Sequence, residues 1–202
     1  MNFFKKIPVC LANLLFPIKV YGKENIPKDG AVCVCNHFSF IDSAYIRALF
    51  KDDVYFLGKK EVFKNKFAGW ILRCYGGIPI DRESPDIKSL FTATKVVKEG
   101  YKLVIFPEGT RNKTGTNELQ QIKGGSAVFA VKAKRPIVPM MILHKARLFK
   151  RNALIIGEPF YLEDYYSKKL TADVVDEMDE FVRQKMIEQQ KILFTLIAKK
   201  KK

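Results

Sequence analysis

Short apolar runs rich in β-branched residues alternate along this chain with longer segments whose apolar residues have helical spacing. Strands are predicted at residues 31–35, 54–58, 76–80, 102–106, 137–143 and 153–159. Helices are predicted over 39–50, around Phe63, Phe67, Trp70 and Ile71, over 85–99, over 125–134, and from Thr171 to about Ala198. Because strands that alternate with helices form parallel sheets, we expect an α/β fold with a largely parallel central sheet flanked by helices.

Length and charge narrow the class of protein further. A chain of 202 residues without a convincing linker predicts one domain with a sizeable core. Lysine and arginine exceed aspartate and glutamate by 15, which predicts an anionic partner: nucleic acid, a phosphorylated substrate or acidic lipid. Pro79 lies within the predicted strand 76–80, and proline in a strand favours the edge of a sheet or an irregular strand.

The cysteines and histidines do not form a metal-binding pattern. Cys10, Cys33, Cys35 and Cys74 make no CxxC pair, and the chain has only two histidines, far apart, so no metal site is predicted. Cys33 and Cys35 alternate with valines, which predicts that they share one buried face of a strand in a reducing compartment.

The N-terminal segment, residues 1–19, has two lysines followed by an apolar stretch from residue 7 to 18. This pattern superficially resembles a signal peptide, but no small-residue cleavage site follows it. We interpret the segment as a short helix at a membrane interface, ended by Pro17, with residues 20–202 forming the folded domain. No apolar run in the chain reaches the length of a membrane span.

The stretch NHFSFID, residues 36–42, combines a histidine and a carboxylate directly after a predicted strand. Five positions on one helix would place His37 and Asp42 on different faces. They can meet only if His37 lies in the turn before the helix and Asp42 in its first turn, where Asp42 could orient His37 as a general base. The alternative is purely structural: Ser39 and Asp42 have the spacing of a helix-capping box.

Three further stretches follow predicted strands or lie within them. FPEGTR (106–111) offers a flexible Gly109 and an Arg111 that can bind a phosphate in a bidentate manner, although it could also be a simple charged turn. GGIPIDR (76–82) ends in Arg82, which could instead form a surface pair with Asp81. IVPM (137–140) could be an ordinary core strand.

Together and in this order, these stretches resemble the glycerolipid acyltransferase family, specifically its 1-acyl-sn-glycerol-3-phosphate (lysophosphatidate) acyltransferases. NHFSFID is similar to the family's NHxSxxD block, and GGIPIDR, FPEGTR and IVPM resemble its second, third and fourth blocks. Lys59 matches the lysine of the K-x-E-L segment, and residues 123–127 resemble a further segment. The resemblance runs from about Val20 to Pro159 and makes residues 20–202 an acyltransferase domain.

The resemblance implies direct transfer of a fatty acyl group from acyl-CoA or acyl-carrier protein to the sn-2 hydroxyl of lysophosphatidate, giving phosphatidic acid. His37 would act as the base and Asp42 would orient it. The substrate-binding residues would be Lys59, Arg82, Glu108, Gly109, Thr110 and Arg111. The resemblance implies no metal and no bound cofactor.

Other interpretations remain open from the sequence. The same chemistry could serve another acceptor, such as glycerol 3-phosphate, another lysophospholipid or an acylated amino acid. A nucleic-acid-binding module is less favoured because the basic residues are dispersed, and a non-catalytic membrane-surface protein is less favoured because both His37 and Asp42 are present. We expect a peripheral or monotopic protein on the cytoplasmic face of an anionic membrane, and a structural role for His144.

Overall fold

A computed structural model describes residues 14–50, 54–81, 87–114, 116–122 and 125–199. The predicted N-terminal helix lies mainly in residues 1–13, outside the described residues, and so do Arg82, Lys123 and Gly124. Among the described helices, none is long and apolar enough to cross a membrane.

A seven-stranded sheet forms the centre of the described residues. Its strands are β1 Ile18–Tyr21, β2 Ala31–Cys35, β3 Val54–Lys59, β4 Gly77–Ile80, β5 Lys102–Ile105, β6 Ile137–Ile142 and β7 Asn152–Ile156. The strand order is β1-β7-β6-β2-β5-β3-β4, and every neighbouring pair is parallel except β6 and β7. The prediction of a largely parallel sheet is therefore confirmed, and β4, which contains Pro79, is an edge strand.

Helices cover both faces of the sheet. They are α1 Phe40–Phe50, α2 Lys66–Cys74, α3 Ile87–Lys98, α4 Ser126–Ala133 and α5 Ala172–Lys199. Alternate residues of β2 enter two different core clusters. Val32 and Val34 pack in the cluster that contains buried residues of α3, α4 and α5, while Cys33 and Cys35 pack in the cluster of α1. The predicted common face of the two cysteines is confirmed, and the fold has three layers with the sheet in the middle.

The direction of the strands determines where functional residues can meet. β2, β3, β4, β5 and β6 run in one direction, so their carboxyl ends lie along one edge of the sheet, here called the carboxyl edge. β7 is antiparallel to β6 and therefore begins at this edge, and β1, which is parallel to β7, begins there too. In open parallel sheets, ligands bind at the carboxyl ends of the strands.

Two predicted boundaries differ from the structure. β7 ends at Ile156 rather than at residue 159, and Pro159 has no N–H to donate to a neighbouring strand. β1 begins at Ile18, so residues 18 and 19 belong to the sheet rather than to the N-terminal segment. Asn152 donates its backbone N–H to the carbonyl of Pro17 at 2.8 Å, which extends the pairing one residue earlier.

Candidate active site

His37 lies in the short connection between β2 and α1, at the carboxyl edge. Its backbone is held from both sides: its N–H donates to Glu108 Oε1 at 2.7 Å, and its carbonyl accepts the Asn112 N–H at 2.7 Å. The imidazole stacks on the ring of Phe106, with centroids 4.0 Å apart and planes at 19°. The loop after β5 thus fixes both the backbone and the ring of His37.

Asp42 occupies the first turn of α1 and is fully buried. Its Oδ2 lies 3.0 Å from His37 Nδ1 and accepts the backbone N–H groups of Phe38 and Ser39, each at 2.6 Å. A carboxylate only accepts hydrogen bonds, so the contact with Asp42 favours the tautomer of the His37 imidazole that carries its proton on Nδ1.

One half of the capping box predicted for the same stretch is present. Ser39 directly precedes α1, its N–H donates to Asp42 Oδ2, and its hydroxyl donates to Asp42 Oδ1 at 3.2 Å. The Asp42 side chain therefore accepts the N–H of the capping residue Ser39, as the third helical residue of a capping box does, while it also contacts His37. One carboxylate begins the helix and orients the histidine, so the two interpretations do not exclude each other.

Glu108 is almost completely buried, at 2% exposure, and both of its oxygens accept backbone N–H groups. Oε1 accepts from His37, and Oε2 accepts from Gln120 at 3.2 Å. Burial raises the pKa of Glu108 above its usual range, and the two N–H donors partly oppose that rise. The residue was predicted to bind substrate, but its geometry is that of a support that joins the His37 loop to the segment around Gln120.

The two described cationic residues of the predicted site, Lys59 and Arg111, lie at or beyond the ends of neighbouring strands and are exposed. Lys59 is the last residue of β3, and its ammonium group is 3.7 Å from the Glu61 carboxylate. Arg111 follows β5, and its guanidinium lies 4.4 Å from the centre of the exposed Phe40 ring. Thr110 is exposed beside it, and Gly109 has φ +74°, a conformation that favours glycine.

Two asparagines at the site were not identified from the sequence. Buried Asn36 forms a reciprocal pair with Ile142, donating to its carbonyl at 3.0 Å and accepting its N–H at 2.7 Å. Buried Asn112 donates its backbone N–H to the His37 carbonyl, and its side-chain amide donates to the carbonyls of Thr116 and Glu118. Asn36 directly follows the apolar strand β2, a signal that could have marked it, whereas Asn112 lies in the loop beyond FPEGTR and carries no such signal.

The arrangement leaves one ring nitrogen of His37 available for chemistry. Nδ1 is occupied by Asp42, whereas Nε2 has no hydrogen-bond partner among the residues that the structure describes. The His37 side chain is 15% exposed, so a small group can reach it from the carboxyl edge. A neutral imidazole in this tautomer can accept a proton at Nε2, and the buried carboxylate stabilises the resulting cation.

Comparisons with known proteins identify the family of this chain. The family model described as Acyltransferase matches residues 17–143, more than half of the chain. A Bacillus subtilis protein named 1-acyl-sn-glycerol-3-phosphate acyltransferase is 34% identical over 177 residues, covering 83% of this chain and 87% of the relative. A Saccharomyces cerevisiae protein of the same name is 29% identical over 181 residues, covering 85% of this chain and 59% of the relative.

A solved structure resembles nearly the whole chain. It is a crystal structure of the 1-acyl-sn-glycerophosphate (LPA) acyltransferase PlsC from Thermotoga maritima, with a TM-score of 0.68 and 25% sequence identity. The match covers 96% of this chain and 83% of that chain.

Proposed function

Because this chain belongs to the acyltransferase family, whose model matches residues 17–143, we propose that it transfers a fatty acyl group to the sn-2 hydroxyl of 1-acyl-glycerol-3-phosphate. The observation that carries the proposal is the 3.0 Å contact between His37 Nδ1 and the buried Asp42 carboxylate. The names of the relatives supply the acceptor, and the 34% identity to the Bacillus protein over most of both chains supports it.

In the proposed reaction, His37 acts as the general base. Nε2 takes the proton of the sn-2 hydroxyl while the hydroxyl oxygen attacks the thioester carbonyl carbon of acyl-CoA or acyl-carrier protein. Asp42 keeps Nδ1 protonated and stabilises the imidazolium. The Phe106 ring and the two hydrogen bonds to the His37 backbone keep the imidazole in place before the substrate arrives.

The attack forms a tetrahedral intermediate whose oxyanion needs hydrogen-bond donors. When it collapses, the carbon–sulfur bond breaks and the thiolate takes the proton from His37, so base and acid are the same residue. The acceptor attacks the donor directly, and no acyl-enzyme forms. The products are phosphatidic acid and the free thiol of the donor.

The acceptor phosphate is held by the cations at the carboxyl edge. Arg111 and Thr110 follow β5, Lys59 ends β3, and Arg82 follows β4, which is paired with β3. A guanidinium and a phosphate form short, charge-assisted hydrogen bonds, and an exposed arginine is free to meet a ligand. Gly109 allows the backbone to approach the phosphate, while Glu108 keeps this loop joined to His37.

The protein works as a peripheral protein at an anionic membrane surface. Its acceptor and its product carry acyl chains, so the carboxyl edge must lie near lipid. The N-terminal segment begins with lysines and apolar residues, and four lysines end the chain, both of which suit an interfacial contact. Deletion of residues 1–13 should lower binding to anionic vesicles in a sedimentation assay, and high salt should lower it further.

A panel of acceptors and donors tests the proposal. Purified protein is incubated with labelled acyl-CoA or acyl-carrier protein and with lysophosphatidate, glycerol 3-phosphate, another lysophospholipid or an acylated amino acid. The proposal predicts labelled phosphatidic acid as the main product. If another acceptor is turned over faster, that acceptor is the substrate in place of lysophosphatidate. The His37→Ala variant gives the background rate for every pair of donor and acceptor.

A further inference from the structure

The connection between β6 and β7 has an unusual composition and position. Residues 145–151 read KARLFKR, with four cations, two large apolar residues and no carboxylate. The connection leaves β6 at the carboxyl edge, where Asn36 at the end of β2 is hydrogen-bonded to Ile142. It therefore lies on the same edge as His37, while nothing in the proposed reaction uses it.

The tip of this connection is a tight turn that presents Leu148 and Phe149 to solvent. Lys150 donates its N–H to the Arg147 carbonyl at 3.1 Å, and the two residues form an antiparallel bridge, with Leu148 and Phe149 between them. Leu148 is 54% exposed and Phe149 is 69% exposed. Phe149 has φ +55°, a conformation for which turns usually use glycine or asparagine. A large aromatic residue thus occupies a position that local geometry disfavours.

The turn is held on a firm base. Asn152 donates its side-chain N–H to the His144 carbonyl at 2.7 Å, and Ala146 packs against the core cluster of α1. The Phe149 N–H donates to the Leu15 carbonyl at 2.7 Å, which ties the tip to the N-terminal segment just before β1. Leu14, at 71% exposure, adjoins Leu15. The exposed apolar residues are therefore fixed in place rather than carried on a loose loop.

The surrounding cations are not neutralised by the protein. Lys145, Arg147, Lys150 and Arg151 are exposed, and none of them forms an ion pair with a carboxylate among the residues that the structure describes. Two protruding apolar side chains within a ring of unpaired cations are complementary to a bilayer, where the apolar groups enter below the headgroups and the cations meet lipid phosphates.

We propose that the Leu148–Phe149 turn inserts into the interface of an anionic bilayer and places the carboxyl edge on the membrane. This inference rests on the proposed function in one respect, that the substrate is a lipid held in a membrane. The exposed Leu14 would lie near the inserted turn, since its neighbour Leu15 accepts the hydrogen bond from the Phe149 N–H.

A fluorescence reporter tests the insertion directly. Trp70 is the sole tryptophan, so Trp70→Phe gives a dark background in which Phe149→Trp reports on the tip and Tyr161→Trp is the control. Tyr161 is 53% exposed and follows Phe160, which pairs with Ile137 at the opposite edge of the sheet. With phosphatidylcholine vesicles that contain phosphatidylglycerol, we expect the Phe149→Trp emission to move to shorter wavelength and to be quenched by brominated lipid. The Tyr161→Trp emission should change in neither respect.

Two sets of variants separate the charges from the apolar tip. Arg147→Glu with Lys150→Glu should weaken binding to anionic vesicles by at least about fivefold for each cation removed. Lys168→Glu with Lys169→Glu is the matched control, because these two lysines lie in an exposed segment beyond the end of β7, and it should weaken binding less. The double variant Leu148→Ser/Phe149→Asn has asparagine at position 149, which tolerates the positive φ. It should lose binding to anionic vesicles without losing thermal stability.

The outcomes separate this proposal from the proposed function. If the Phe149→Trp emission is unchanged while the protein is bound to vesicles, or if the protein does not bind them, the insertion is refuted whatever the enzyme's activity. If soluble polyphosphate changes the Phe149→Trp emission as much as anionic vesicles do, the lipid bilayer is refuted as the partner. If the Leu148→Ser/Phe149→Asn variant loses turnover of lysophosphatidate in vesicles but not of a short-chain, water-soluble analogue, the inference is supported. A wild type inactive on every acceptor would refute the proposed function alone.

Discussion

The two halves of the candidate active site differ sharply in how they are held. His37 and Asp42 lie among buried groups, and Asp42 Oδ2 alone contacts three donors within 3.0 Å. Arg111 and Lys59 are exposed at the ends of β5 and β3, and the Arg111 guanidinium lies over the exposed Phe40 ring. The first half is fixed before any ligand arrives, whereas the second keeps its charges available to one.

The difference follows from what each half must do. Proton transfer depends on distance and tautomer, so a base must be oriented in advance. Binding of a phosphate depends mainly on charge, which acts over several ångströms and tolerates movement of long side chains. Changes at the dyad should therefore act on the rate of the chemical step, and changes at the cations should act on acceptor binding.

The largest effect should come from Asp42→Asn. The amide oxygen can still accept the N–H groups of Phe38 and Ser39, so the start of α1 should persist, but the amide cannot stabilise the imidazolium of His37. We expect kcat to fall by roughly 10³- to 10⁴-fold with an unchanged circular dichroism spectrum. Ser39→Ala, which removes only the 3.2 Å contact to Oδ1, is the control and should have a small effect. Equal losses in both variants would mean that Asp42 serves only as a helix cap.

Arg111→Ala should act on the other half of the site. Loss of a charge-assisted hydrogen bond costs about 1.5–3 kcal/mol, which corresponds to roughly a 10- to 150-fold fall in kcat/KM for lysophosphatidate. The fall should appear mainly in the KM for the acceptor and hardly in the KM for the donor. A matched assay with monoacylglycerol, which lacks the phosphate, should show little change. A similar fall with both acceptors would instead indicate damage to the loop after β5.

Glu108→Gln probes the connection between the two halves. Glutamine has one acceptor oxygen where Glu108 uses two, so the N–H of His37 or of Gln120 would face an amide donor. We expect the free energy of unfolding to fall by about 1–3 kcal/mol, with a moderate loss of kcat. Chemical denaturation measures the first quantity and steady-state kinetics the second. Unaltered stability would show that the two hydrogen bonds are not maintained in solution.

The smallest effect should come from Asp179 in α5, far along the chain from the dyad. Its buried carboxylate accepts the Gly125 N–H at 2.7 Å and the Ser126 hydroxyl at 3.2 Å at the start of α4, and burial raises its pKa above 3.8. Because the folded-state pKa is raised, stability is greatest below the unfolded-state pKa and falls as pH rises through the folded-state pKa. Asp179→Asn can keep both contacts but cannot ionise, so this fall in stability should be absent from the variant. The difference in free energy of unfolding between variant and wild type should be smaller than the ~1–3 kcal/mol that loss of the contacts would cost.

Denaturation at several pH values from below 4 upward measures this difference. The free energy of unfolding of Asp179→Asn relative to the wild type should increase with pH. A difference that stays constant or decreases would show that the Asp179 carboxyl is not raised in pKa by folding.

The sequence predicted the strands and helices better than it predicted which strands pair with each other. β-branched runs and helical spacing are local, so the strands and helices were found and Pro79 correctly indicated an edge strand. The pairing of β1 with β7 joins residues more than a hundred positions apart, and the antiparallel pairing of β7 with β6 likewise depends on contacts between strands rather than on the composition of either strand. Only the pairing with β7 shows that Ile18 and Lys19 are strand residues.

The site shows the same division. The spacing of His37 and Asp42 limited them to one geometry, in which the histidine precedes the helix and the aspartate lies in its first turn, and the structure has that geometry. The supporting role of Glu108 was not foreseen, because it arises from burial against the backbone of His37, 71 residues away. Asn112 could not be identified because its partners are backbone groups, which leave no sign in a sequence, whereas the position of Asn36 directly after β2 was a usable sign.

The central claim, direct transfer with His37 as the base, is tested most directly by a single-turnover experiment. Wild-type protein and His37→Ala are mixed with labelled acyl donor and lysophosphatidate, quenched at intervals, and separated into lipid and protein fractions. The account predicts that the label moves only from donor to phosphatidic acid, and that His37→Ala is slower by about 10²- to 10⁴-fold while it keeps the wild-type fold. A folded His37→Ala protein with near-wild-type turnover, or label bound covalently to the protein during turnover, would contradict it.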